Sequence, residues 1–322
     1  MLGIFWQIAA WLITAVFFIG GIFTGTNHAD FISTYKARVA ASAYENTFKT
    51  AVPQTEVYKI IKGFLSEEQT AGTAKEKKVI VIGYDGCRAD NLSLCGNAAE
   101  SAINTLRADG GHVKLSYCGG IQYPMKNTQD TSTAPGWCSM LTGQWANVHG
   151  ITGNGITKSN DHLTLLTTLV EDGTIDSSAF YVSWSGHFSG EGTTYIAEKQ
   201  YIEENSINSN FLCAGDDNGT LENVLNDIRQ DDCSDFIFSI LEYCDHTGHD
   251  TGFCPKNPEL KKAFADAEKA GIEIINAIKA RENYEDEDWL ILITSDHGGY
   301  NNFHGQATMQ ERYTFIACNK DF

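Results

Sequence analysis

The sequence predicts an α/β protein, a mostly parallel central sheet sandwiched by helices, with an N-terminal membrane helix in front of it. Three observations carry that prediction. The stretches "KKVIVIGYD", "DFIFSILEYCD" and "DWLILITSD" are short continuous apolar runs, the pattern of parallel strands covered on both faces. Between the second and third lies "ELKKAFADAEKAGIEIINAIKAREN", where Phe264, Ala267, Gly271, Ile274, Ile275 and Ile278 share one helical stripe, as a crossover helix requires. Each apolar run also stops at an aspartate, Asp85, Asp245 or Asp296. Open α/β sheets bind ligands beyond the carboxyl ends of their strands, so the three acids are expected at one edge.

From the N-terminus, residues 1–25, "MLGIFWQIAAWLITAVFFIGGIFTG", carry no charged side chain and one strongly polar one, Gln7. The run is long enough to cross roughly 30 Å of hydrocarbon and reads as a membrane anchor. A cleaved signal peptide is the alternative; it calls for a basic start and a small-x-small cleavage site. The nearest basic residues, Lys36, Arg38 and Lys49, follow the run, the side that the positive-inside rule assigns to the cytoplasm. Residues 26–77 contain "DFISTYKARVAASAYENTF" and "TEVYKIIKGFLSEE", both with helical apolar spacing, then the polar "EEQTAGTAKEKK"; they read as a helical stalk and linker. No internal repeat interrupts the rest, so one globular domain is expected over 78–322.

Composition narrows the chemistry. The 322 residues hold 41 Asp plus Glu against 23 Lys plus Arg, a formal net charge of -18, which argues against a nucleic-acid polymer as partner. Bound metal can supply the positive centre that a small phosphate ester needs. All nine cysteines lie between Cys87 and Cys318, a number suited to disulfides outside the cell, with at least one left over. No C-x-x-C pair occurs, which argues against a zinc knuckle, and Cys138 and Cys318 read as small buried apolar residues.

A single acid after a strand is ordinarily a turn-former or helix cap, but three at one edge ask for another reason. Asp245 is followed by His249 across a Gly-containing turn, and Asp296 by His297 and then His304 in "TSDHGGYNNFHG". Carboxylate and imidazole form the ligand set zinc takes when a site must also hold water or substrate. Adjacent residues at an irregular strand end point apart, so Asp296 and His297 can serve different ions, which indicates two. Two divalent ions about 4 Å apart can clamp the attacking and leaving oxygens of an in-line displacement at phosphorus. A nucleophile is available in Thr133, just before Pro135 at the start of the helix expected over "WCSMLTG". Alone it reads as an N-cap; beside zinc its hydroxyl ionises near neutral pH.

In order, "IVIGYDGCRAD", "TAPGWCSMLTGQWANVHGI", "YCDHTGHDTGF", "TSDHGG" and "FHG" resemble the alkaline phosphatase superfamily, and within it the type I phosphodiesterase/nucleotide pyrophosphatase family. There the nucleophilic threonine lies nine residues before the second threonine of an "LVTG"-like sequence, as Thr133 lies before Thr142. The resemblance implies an alkaline phosphatase-like domain with one zinc on Asp245, His249 and His304. It implies a second on Asp85, Asp296, His297 and the oxygen of Thr133. It further implies attack by Thr133, a phosphothreonine intermediate, and cleavage of phosphodiester or pyrophosphate bonds in a small ester or nucleotide by a domain facing away from the cytoplasm. His149 is not implied as a ligand and reads as structural; His187 of "SWSGHF" reads as a loop histidine near the pocket. Where relatives carry an asparagine three residues after the nucleophile, Gly136 stands here. The alternatives are a phosphoethanolamine or phosphoglycerol transferase, a phosphomonoesterase using Lys158, a sulfatase-like hydrolase, or a metal-stabilised binding protein. Sulfatases require Cys or Ser at the position of Thr133 and an arginine three or four residues on, where Gly136 and Trp137 stand.

Overall fold

The computed structural model describes residues 51–70, 74–119, 129–154, 162–188, 193–306 and 308–322. The apolar run over 1–25, the first half of the expected stalk and Lys158 lie outside them. Among the described residues no helix is long and apolar enough to cross a membrane.

The strands are β1 (Val52–Pro53), β2 (Glu76–Tyr84), β3 (His112–Tyr117), β4 (Ser178–Val182), β5 (Ser209–Cys213), β6 (Phe236–Leu241), β7 (Glu287–Thr294) and β8 (Tyr313–Cys318). They form one sheet in the order β1-β3-β8-β7-β2-β6-β4-β5. Only β8 runs against its neighbours, β3 and β7; every other pairing is parallel, so the sheet is mixed around a parallel centre. The three apolar runs are β2, β6 and β7, side by side at that centre.

Alternation along these strands divides the core. Val79, Val81, Phe236, Phe238, Leu290 and Leu292 face one side, where the helices α1 (Glu56–Ser66), α3 (Thr133–Thr142), α4 (Leu165–Glu171) and α5 (Ile196–Asn205) contribute. Ile80, Ile82, Ile237, Ile291 and Ile293 face the other, covered by α2 (Ala102–Ala108), α6 (Asp217–Ile228) and α8 (Pro258–Lys279). The expected crossover helix is α8, and all six stripe residues are buried in it. It is closed at its start by Asn257, whose side chain accepts from Glu259 N, with Pro258 in the first turn.

One boundary moves. The stalk reading fails for the described helix, because α1 buries Val57, Ile61 and Phe64 in the main core and β1 pairs with β3, while the polar residues 67–70 after it are exposed. Helical spacing identified the helix but could not say what its apolar face covers. The packed unit therefore begins at or before Ala51, not at Lys78.

Candidate metal and phosphoryl-transfer site

The sheet register brings the acids together. Tyr84 is opposite Leu241 and Gly83 opposite Thr294, so Asp85, Asp245 and Asp296 leave three adjacent strands at the same edge. Asp245 lies in the first turn of α7 (Tyr243–Thr251) and His249 in its last, on one helical face. Gly86 makes room for this crowding: its φ is +66°, and a Cβ there would stand 2.7 Å from Asp245 Oδ1.

Two overlapping groups of ligand atoms result, Asp85, Asp296 and His297, and Asp245, His297 and His304, each with its atoms within 4.8 Å of one another. His297 belongs to both, its Nε2 lying 3.4 Å from Asp85 Oδ1 and 3.3 Å from Asp296 Oδ2. His249 completes the second group from the more exposed side, with Nε2 3.4 Å from Asp245 Oδ2 and 3.1 Å from His304 Nε2. The six expected acids and histidines are thus one continuous cluster, with His297 between its halves.

The imidazoles are oriented from behind. His249 Nδ1 donates to Asn302 O at 2.9 Å, His304 Nδ1 to Thr131 O at 3.0 Å, and His297 Nδ1 to Gly298 O at 2.8 Å. A carbonyl can only accept, so each Nδ1 carries a proton, and in the neutral imidazole Nε2 turns a lone pair into the cluster. Two such lone pairs face each other between His249 and His304, and the buried oxygens Asp245 Oδ1 and Asp296 Oδ2 have no hydrogen-bond donor. Lone pairs converging on lone pairs are repulsive unless a cation lies among them; the donor set fits divalent metal.

Electrostatics agree. Burial first, then the neighbouring Asp296 and Asp245, pushes the Asp85 carboxyl well above the usual range. Burial and Asp245 do the same to Asp296. Asp245 also feels burial upward, but the neighbouring imidazoles of His249, His297 and His304 bring it below its ordinary value. Burial holds His297 down to about 3, keeping it neutral and able to ligate.

Thr133 stands over the Asp85 side. Ser132 is the N-cap of α3 and Thr133 its first helical residue, so the threonine is not the cap. Its Oγ1 lies 3.4 Å from Asp85 Oδ1 and 3.3 Å from His297 Nε2, and the residue is buried. Trp137, one turn on, donates Nε1–H to Asp85 Oδ2 at 2.9 Å.

The departure at Gly136 has a steric reason. At Gly136 a Cβ would meet Asp296 Cβ at 2.8 Å, so no side chain can enter from there. Asn154 arrives instead from the loop after His149: its Nδ2 donates to Thr133 Oγ1 at 3.4 Å while its Oδ1 accepts from Ala134 N at 2.8 Å. Sequence reading missed it because a neutral amide in "HGITGN" carries no ligand signature. His149 is elsewhere, in the core, with Nδ1 accepting from Ile151 N at 3.1 Å and Nε2 3.1 Å from Ser139 Oγ. His187, read as a loop histidine near the pocket, ends a short helical turn, Ser185–His187. It is fully buried, stacked on Tyr195 at 6.0 Å between centroids and edge-on to Trp184 at 5.3 Å. Burial takes its proton affinity down to about 3.

A parallel-centred sheet with acids and histidines at its carboxyl edge and a helix-borne hydroxyl above them defines an alkaline phosphatase-like fold. The description "Type I phosphodiesterase / nucleotide pyrophosphatase" matches residues 79–313, and the chain belongs to that family. No curated protein matches the sequence. Among solved structures it is similar to murine ectonucleotide pyrophosphatase/phosphodiesterase 5, at 18% identity and TM-score 0.46, covering 69% of this chain and 57% of that one. It is also similar to a lipoteichoic acid synthase of Listeria monocytogenes, at 11% identity and TM-score 0.46 over 81% and 71% of the two chains. An alkaline phosphatase from the Antarctic bacterium TAB5 follows, at 12% identity and TM-score 0.45 over 76% and 91%. The chain thus spans less than two thirds of the murine protein's length.

Proposed function

We propose that the protein is a two-zinc hydrolase of phosphodiester or pyrophosphate bonds in small esters or nucleotides, with Thr133 as nucleophile. The observation that carries this reading is the position of Thr133 Oγ1, 3.4 Å from Asp85 Oδ1 and 3.3 Å from His297 Nε2 at a helix N-terminus. A binding module has no use for a hydroxyl there. Asp245, His249 and His304 would hold one ion, and Asp85, Asp296 and His297 the other. When bound, the ions supply Lewis-acid charge and lower the pKa of coordinated hydroxyl and water. Asp85 Oδ1 accepts from the Thr133 hydroxyl, Trp137 keeps that carboxylate in place, and Asn154, whose amide donates to Thr133 Oγ1, would offer the same donor to a phosphoryl oxygen. Thr133 attacks phosphorus, the leaving alkoxide departs in line, and water releases the phosphothreonine ester. Residues 1–25 would anchor this domain to the membrane with the site facing outward.

The test is a panel on the zinc-reconstituted full-length protein: bis-p-nitrophenyl phosphate, a nucleotide pyrophosphate, p-nitrophenyl phosphate and an aryl sulfate. The diester or pyrophosphate should lead in kcat/KM, with two zinc per chain by elemental analysis. A monoester or sulfate leading the ranking, or one ion per chain, contradicts the reading.

A further inference from the structure

We propose that Cys87 and Cys244 are the two halves of an intramolecular disulfide that ties together the strand ends carrying Asp85 and Asp245. The register places them as partners: β2 and β6 are parallel neighbours with Tyr84 opposite Leu241, and each cysteine is the third residue beyond that pair. The two chains stay together past the ladder, since Asp85 N donates to Leu241 O at 2.9 Å. A Cβ on Gly86 would lie 2.9 Å from Asp245 Cα, so backbone presses on backbone between the two cysteines. The Gly86–Asp245 contact sets the backbones bearing the two cysteines side by side, and a disulfide asks for about 4.4–6.8 Å between their Cα atoms. In the structure both residues are buried free thiols in one core cluster, burial and then the neighbouring Cys244 thiol push up that of Cys87, and Asn91 Nδ2 donates to Cys87 Sγ at 3.4 Å. A small apolar residue would fill either position; two thiols packed in the same core cluster do more.

The chemistry balances with a disulfide oxidant, either a small-molecule disulfide or the disulfide of a thiol oxidase. One cysteine thiolate attacks the oxidant and expels one of its sulfurs. The other cysteine then attacks the mixed disulfide and expels the second, and the two cysteine protons end on the released thiols. Because both sulfurs are out of reach in the closed fold, the exchange belongs to folding, before the strand ends close. The bond crosses between the ends that bear one carboxylate of each ligand group, so it fixes their spacing whether or not metal is bound. It does not depend on the proposed activity.

The experiment starts from the full-length protein, denatured, reduced, and refolded in mixed reduced and oxidised glutathione. Free thiols are then blocked with N-ethylmaleimide and the protein is digested without reduction. The expected map contains a peptide pair joined through Cys87 and Cys244, with two fewer maleimide labels than the nine cysteines. The thermal midpoint should exceed that of protein refolded in dithiothreitol by several degrees, a gap absent from Cys87→Ser/Cys244→Ser. Nine labels, or either cysteine joined to Cys95 or another partner, overturns the proposal. Should the double variant not fold, the peptide map of the natural sequence decides alone.

Discussion

Asn154 shows what a single residue contributes beyond the ligand set. Its Oδ1 is fixed by Ala134 N, so its Nδ2 is aimed at Thr133 Oγ1 rather than free to rotate. Asn154→Ala should retain metal content and lower kcat by about 10²-fold with KM little changed, as loss of a preorganised donor does. Steady-state kinetics beside elemental analysis checks both, and an unchanged kcat removes Asn154 from the site. Glu198 gives a second test, one of stability. Its Oε1 accepts from Thr164 N, Thr164 Oγ1 and Thr167 Oγ1 at 2.8, 2.8 and 2.6 Å, while Oε2 is buried without a donor. Burial raises its carboxyl from 4.5 to about 7 despite those hydrogen bonds. The folded state then binds the proton more tightly than the unfolded one, so the contribution is full below 4.5 and is lost as pH rises through about 7. Glu198→Gln, which keeps the acceptor and removes the charge, should gain up to about 3 kcal/mol over the natural protein at pH 8 and nothing at pH 4. Denaturation at both pH values checks this; equal gains at both would refute the assignment. The clustering of the six acids and histidines was legible in the sequence because few residue types bind metal and the motifs fix their order. Asn154 and Trp137 were not, because their roles rest on hydrogen bonds between segments far apart in the chain.

The same contrast holds for whole elements. β2, β6 and β7 announce themselves because a strand buried on both faces must be apolar throughout, and α8 because one side of it is not. β3, "HVKLSY", and β8, "YTFIAC", lie towards the edge that turns antiparallel, and β4 is five residues long; each is too short or too mixed for a period to stand out. The helix α1 was legible as a helix, but its docking was not, since an amphipathic stripe looks alike in a stalk and on a core. Ile61 is wholly buried among the main core residues. Ile61→Ala should therefore cost about 2–5 kcal/mol in urea unfolding. A fragment beginning at Lys78 should fail to unfold cooperatively, whereas a freestanding stalk would leave both measurements unchanged.

Over the whole molecule, an acidic chain of net charge -18 gathers three buried carboxylates at one sheet edge. Among the described residues, imidazoles line the cluster. That arrangement stores repulsion which a bound divalent metal would relieve, and in the proposed reaction the phosphate would be met by metal, the Asn154 amide and the start of α3. Everything then converges on whether Thr133 forms a bond to phosphorus. The decisive measurement is an acid quench of the zinc-loaded protein during turnover of bis-p-nitrophenyl phosphate, followed by peptide mass spectrometry. The account predicts an ester on Thr133 with the mass of the substrate less one p-nitrophenolate, absent from Thr133→Ala. Full turnover by Thr133→Ala, or an adduct on a different residue, would contradict it.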